Sequence, residues 1–381
     1  MRANYSLKFL LLVIIAFTNS QAQQLNSRGQ LSGWLTWNEN KSVGSQVGIR
    51  YIPEISLEKI FKNTTLLDCE FSANGYRSWN GSSLNSVNSD GKIKPYRMWF
   101  RYSSNQFEAR VGLQKINFGS ALLLRPLMWF DTIDPRDPLQ LTDGVYGVLF
   151  RYYFINNANI WLWGLYGNEE SKGMEVFPSD KKSFEYGGRV QYPLFTGELG
   201  ISCHFREMDL NRSVSNNQNY TESVVPENRF AIDGKWDVGI GLWFEGAIFH
   251  QKSDELFLNH KRMFTLGADY TFSVGNGIHL LSEYFTVEAS EKLFQNGEGG
   301  KFSALMVDYP IDFIDQVYGI IYYDWENKNQ YRFLRWQKTY DNWSFHLIGF
   351  WNPDQILLYQ KQSEKNSFAG KGIQFMVVFN H

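Results

Sequence analysis

Phe184-Glu-Tyr-Gly-Gly-Arg-Val-Gln-Tyr192 sorts its side chains by parity. Glu185, Gly187, Arg189 and Gln191 are polar or small, whereas Phe184, Tyr186, Val190 and Tyr192 are apolar, with aromatics at both ends. Successive side chains of an extended strand point to opposite faces, so this stretch presents one wet face and one apolar face. Asn228 to Asp237 repeats the pattern, with Arg229, Asp233 and Lys235 against Phe230, Ile232 and Trp236. Gln106 to Gln114 sets Glu108, Arg110 and Gln114 against Phe107, Val111 and Leu113. One such segment fits any half-buried sheet. About eighteen of them between Arg28 and Phe379 need another explanation.

The connections supply it. Tight links such as Ser103-Ser104-Asn105, Asn156-Asn157-Ala158, Pro193 to Thr196, Asp237-Val238, Val274 to Asn276 and Thr339 to Asn342 are short. Between them lie long polar stretches: Asn74 to Pro95, Lys115 to Asp143, Gly167 to Ser183, Glu207 to Glu227, Ala289 to Lys301 and Pro353 to Gly370. Antiparallel strands threading an outer membrane alternate in this way, with tight turns on one side and long loops on the other. The expectation is an all-β transmembrane antiparallel barrel of about 18 strands, or 16 if the irregular segments near Val43–Ile52 and Gln330–Lys338 fail to form. A ring is required because backbone polar groups have no partner in hydrocarbon. Gly372 to Phe379, with Ile373, Phe375, Val377 and Phe379 on one face, suits the closing strand. It also resembles the C-terminal signal read by the barrel assembly machinery, although Asn380 and His381 extend past the usual terminal aromatic.

Composition agrees. Aromatic residues make up 17% of the chain, yet hydrophobic residues total only 43%. Many aromatics without a long apolar run fit a surface that is apolar at every second position and belted at both interfaces. The formal charge of −2 lacks the basic footprint of a nucleic-acid binder. Arg2 and Lys8 precede Phe9 to Phe17, and a small-x-small site ends at Ala22, so residues 1–22 read as a cleaved signal peptide and 23–381 as one barrel domain. Localisation in the outer membrane follows, with outer-membrane lipids and the assembly machinery as partners and a homo-oligomer or an envelope protein as a further one. Cys69 and Cys203 read as small lipid-side residues rather than as a disulfide.

The connection from Lys115 to Gly144 differs from the other long loops. It carries Leu122 to Leu124, Leu127, Met128, Trp129 and Phe130 beside Arg125, Asp131, Asp134, Arg136 and Asp137. So apolar a loop would be a liability in water, so it is expected to fold back into the lumen and narrow it. Gly112-Leu-Gln-Lys-Ile-Asn-Phe-Gly119 followed by Asp134-Pro-Arg-Asp-Pro138 resembles the strand-and-loop signature of a porin superfamily that includes phosphate-selective and alginate-export channels. The resemblance spans about 40 residues and implies a barrel with an in-folded early loop.

Candidate lumen residues follow from parity. Arg97, Arg101, Arg110, Arg151 and Arg189 share the inner set and could form a basic ladder opposite Asp131, Asp134 and Asp137, creating a transverse field. Alternatively they brace the wall by pairing with Glu108, Glu185, Glu198, Asp233 and Asp269 on the same face. Arg110 and Arg151 flank the loop and are the nearest expected partners for its charges.

Six dispersed histidines, no HExxH and no G-x-S-x-G element argue against an enzyme, and no metal or cofactor is expected. Ser202 with His204, and Ser344 with His346, are the pairs a barrel hydrolase would need. The function expected is a porin-like channel for small polar or charged solutes. The alternative is a non-conducting barrel that binds or assembles surface polysaccharide, or is a subunit of a larger envelope complex.

Overall fold

The computed structural model describes residues 23–40, 44–61, 65–81, 87–212, 221–253, 255–354 and 368–381. The leader reading falls on residues outside this set. Eighteen strands follow one another around a closed ring: β1 (Gln23–Asn38), β2 (Ser45–Ile60), β3 (Leu66–Gly81), β4 (Val87–Ser103), β5 (Phe107–Gln114), β6 (Val145–Tyr153), β7 (Asn159–Tyr166), β8 (Phe184–Leu194) and β9 (Gly197–Asp209) complete one half. The other half is β10 (Val224–Asp237), β11 (Gly241–Gln251), β12 (His260–Phe272), β13 (Ile278–Ser290), β14 (Glu298–Pro310), β15 (Asp315–Asp324), β16 (Asn329–Thr339), β17 (Trp343–Trp351) and β18 (Lys371–Asn380). Every strand pairs antiparallel with its sequence neighbours, and β18 closes on β1 from Gln30↔Asn380 to Asn38↔Gly372. The sheet has no open side, which satisfies the ladder groups without water.

The two irregular segments form β2 and β16. β1 begins at Gln23, five residues earlier than the alternation at Arg28 indicates. His381 prolongs the closing ladder by exchanging backbone hydrogen bonds with Gly29.

One stretch that read as a long loop is largely strand, and two others are strand at their ends. β3 runs to Gly81 and β4 starts at Val87, so most of Asn74 to Pro95 is a tall hairpin. β9 and β10, and likewise β13 and β14, also reach into their polar connections. Above the membrane both faces are wet, so parity carries no apolar signal there. Pro95 is accommodated by a register shift between Ser72 and Ala73, where Tyr96 is the extra residue. β5 and β7 are the shortest strands, at 8 residues. That length spans about 26 Å, close to the apolar band of an outer-membrane barrel.

Parity holds around the ring. In β12, Met263, Thr265 and Gly267 are buried while Phe264 and Leu266 are exposed. The same outward apolar set recurs on neighbouring strands at Phe230, Ile232, Leu305, Ile321, Leu334, Leu347 and Phe375. Cys69 is buried, Cys203 is half-buried, and both are free thiols.

This face assignment is testable by substitution. Leu266→Arg is expected to destabilise the barrel by about 2–4 kcal/mol in lipid vesicles, while Gln191→Arg on the inner face is tolerated. Equilibrium denaturant unfolding checks it, and equal tolerance at both positions would reverse the faces.

Candidate functional site

The site is built by the long connection between β5 and β6. A backbone path of this length without a ladder must find other acceptors once it leaves water. Two wall carboxylates provide them. Glu245 on β11 accepts from the amides of Ala121 (2.8 Å) and Leu127 (3.1 Å). Glu283 on β13 accepts from Leu122 (2.7 Å), Leu123 (3.0 Å) and Leu124 (2.6 Å), and from the Trp243 indole (3.0 Å). Thr265 on β12 donates to the Leu124 carbonyl at 2.6 Å. The loop therefore leaves β5, crosses the interior and seats on the wall formed by β11 to β13.

Its apolar side chains fill that part of the interior. Leu123, Leu124, Leu127, Trp129 and Phe130 are almost wholly buried. Phe118 stacks on Trp163 at 5.6 Å and meets Trp129 edge-on at 5.6 Å; Trp129 continues to Phe249 at 6.2 Å. Loop and wall form one apolar cluster.

The motif that marked the loop has a backbone meaning. Gly112 and Gly119 have φ of +121° and +103°, a region open chiefly to glycine. A Cβ at Gly112 would lie 2.1 Å from the Met98 carbonyl, and one at Gly119 would lie 2.3 Å from Glu245 Oε1. Gln114, fully buried, donates to the carbonyls of Arg110 and Gly147. In the second half of the motif, Asp134 accepts from the Arg136 amide and grips its guanidinium, with Nη2 donating at 2.7 Å. Asp137 accepts from the amides of Leu139 (3.0 Å) and Leu141 (3.4 Å). These residues fold the loop.

The loop and wall charges do not form two opposed rows. Arg125 pairs with Asp131 (2.8 and 3.1 Å) and Arg136 with Asp134, both inside the loop. Arg110 and Arg151, expected to meet the loop, instead share Glu108 at 3.2 and 3.6 Å and lie over Trp99 and Trp161. Arg101 holds Asp68, Arg189 holds Asp233, and Arg97 donates to the Thr142 carbonyl at the loop's end. The reason is proximity: each arginine finds an acceptor on its own loop or on an adjacent or nearby element before it reaches across the lumen.

Two further wall arginines face the loop and escaped the sequence reading. Asp137 lies within electrostatic range of Arg50 on β2 and Arg335 on β16. Tyr318 on β15, with Arg335 4.7 Å over its ring, donates to the Pro135 carbonyl at 3.4 Å. Arg50, Asp134, Asp137 and Arg335 all keep partial solvent access, whereas the inner faces of β8 to β14, and of β17, β18 and β1, are largely closed off.

A second connection, 167–183, also turns inward rather than standing out as a polar loop. Gly173 donates its amide to the Asp131 carbonyl, Lys172 pairs with Glu185, and Glu175 pairs with Arg206 and Arg229. It packs on the first loop and fastens it.

Of the two serine–histidine pairs, Ser344 and His346 are 3.0 Å apart. Ser202 is instead engaged by Arg189, and His204 accepts from the Trp163 indole at Nδ1 and donates from Nε2 to Glu185.

No family model matches the chain, and no curated protein matches it. Solved structures do. OccAB2 of Acinetobacter baumannii is 9% identical with a TM-score of 0.57, covering 94% of this chain and 98% of that one. OccK5 of Pseudomonas aeruginosa is 11% identical with a TM-score of 0.55 over 94% and 98%. The trimer form of OmpT, an outer membrane protein of Vibrio cholerae, is 12% identical with a TM-score of 0.52 over 95% and 99%. At these identities the likeness establishes a shared barrel fold.

Removing an anchor should release the loop without opening the barrel. Glu283→Ala orphans the buried amides of Leu123 and Leu124, at about 1–3 kcal/mol each, and frees that of Leu122. Trypsin is then expected to cut after Arg136 in the folded variant and not in the parent chain. Persistent resistance would place the holding energy elsewhere.

Proposed function

We propose that this chain is an outer-membrane porin-like channel that passes small polar or charged solutes across a Gram-negative outer membrane. One observation carries the reading: partly solvated charges, Arg50, Asp134, Asp137 and Arg335, lie inside a ring whose outer face is apolar. Solvated charges in the interior of such a ring are what a water-filled passage requires. On this reading the passage runs between the first loop and the part of the wall that carries Arg50 and Arg335, and the loop sets its width. Arg97, Arg101, Arg110, Arg125, Asp131, Arg136, Arg151 and Arg189 then act as braces that hold the wall and loop in shape.

The resemblance to phosphate-selective and alginate-export channels makes anions the first solutes to test. The barrel matches in fold OmpT, an outer membrane protein solved in a trimer form, so self-association is part of the proposal. Cleavage after Ala22 would leave Gln23, the first residue of β1, at the new N-terminus, with 23–381 as the barrel domain. The outer face would meet lipid, and the last strand would be read by the assembly machinery.

Planar-bilayer recording tests the proposal. The full barrel should give discrete conductance steps, and deletion of Leu122–Pro138 should raise single-channel conductance and relax ion selectivity. A folded barrel with no current would instead favour the scaffold reading, in which the lumen is closed and the protein serves surface polysaccharide or a larger envelope complex.

A further inference from the structure

Where the two inward loops meet β9 to β12 they leave a cavity of about 40 Å3, at the end of the barrel that carries the long connections. Such a volume holds about three water-sized groups. Its polar lining is nearly self-contained. Glu175 accepts from Arg206 (3.2 Å) and Arg229 (2.6 Å), and Glu227 accepts from the same two arginines (2.7 and 2.8 Å), closing a ring of four charges. Arg125, also at the rim, is held by Asp131.

Lys261 is the remainder. It lies on the inner face of β12, donates to the Met174 carbonyl at 3.2 Å and lies 5.8 Å from the Phe249 ring. No carboxylate pairs with it among the described residues. Three cations, Arg206, Arg229 and Lys261, against two carboxylates leave one positive charge beside a partly open space. Apart from Gln251, which donates to Glu227, the other walls are apolar and include Met128, Met174 and Met263, flexible thioethers that adapt to irregular shapes. A cation removed from water without a partner is unfavourable, and an arriving anion corrects it.

We propose that this cavity is a solute-binding subsite that takes the anionic head of a small, partly apolar monoanion, with Lys261 as its charge partner and the methionines against its short apolar body. The subsite deepens the channel reading and rests on it: it would hold a solute beside the first loop before passage.

The test is isothermal titration of the full chain in detergent with butyrate, using butyramide as the neutral isostere and acetate as the anion without the apolar body. Butyrate should bind saturably, and acetate and butyramide more weakly. Lys261→Met, which keeps the apolar volume, should weaken butyrate by about tenfold or more, and Lys261→Arg should largely retain it. Lys261→Gln replaces the Met variant if that chain fails to assemble. Equal binding of butyramide, or butyrate binding unchanged in Lys261→Met, overturns the proposal, as does absence of butyrate binding to the parent chain. Equal binding of acetate overturns the apolar part. The same preparations are recorded in bilayers: butyrate binding by a barrel without current removes the channel reading and leaves the site, whereas current without binding does the reverse.

Discussion

A backbone amide that leaves water must find an acceptor, and this requirement operates twice in the molecule. In the wall it is met by ladder pairing all the way round, which is why β18 returns to β1 and no edge remains. In the interior it falls on a loop that has no ladder. There the acceptors are the carboxylates of Glu245 and Glu283, which between them take five consecutive or near-consecutive loop amides. Charge-assisted hydrogen bonds to a carboxylate are among the stronger ones. Fixing the loop at Ala121 to Leu127 places its following segment, Asp131 to Asp137, opposite β15, β16 and β2, and so determines which part of the interior is filled and which keeps water.

Much of this was legible in the sequence because lipid imposes a period of two. Strands β8, β10 and β5 could be read face by face, and the burial of Glu185 and Arg189 against exposed Tyr186 and Val190 follows that reading. The tall hairpin of β3 and β4 was not legible, since a strand with water on both sides has no reason to alternate. The inward course of the first loop was announced by its leucines and aromatics. Its anchors had a quieter signal: Glu245 stands alone in an inner set of Trp243, Ala247 and Phe249, and Glu283 stands alone between Leu281 and Phe285. A lone carboxylate in an apolar inner face, with no cation in register, needs a donor from outside its own sheet. The second loop, 167–183, lacked that apolar signature because its attachment is ionic, through Lys172 and Glu175.

The charges illustrate a related point. Arginines on the inner face of β4, β5, β6 and β8 suggested a ladder across the lumen, but side chains on adjacent or nearby strands are closer than the far wall. Glu108 gathers Arg101, Arg110 and Arg151, and Asp233 takes Arg189. Residues paired in this way stiffen the wall. Arg50 and Arg335, which rest on aromatic rings of adjacent strands and face Asp137 of the loop, were spaced too far apart in the sequence to be grouped.

In the proposed channel, water and solutes pass on the β2 and β16 side of the first loop while the β11 to β14 side is packed shut. Thiol modification during bilayer recording tests it most directly, in a background lacking Cys69 and Cys203. A charged methanethiosulfonate should reduce the current at once through Arg50→Cys and leave it unchanged through Ala304→Cys, which faces inward but is only 2% exposed. Rapid modification at Ala304→Cys with none at Arg50→Cys would contradict the account.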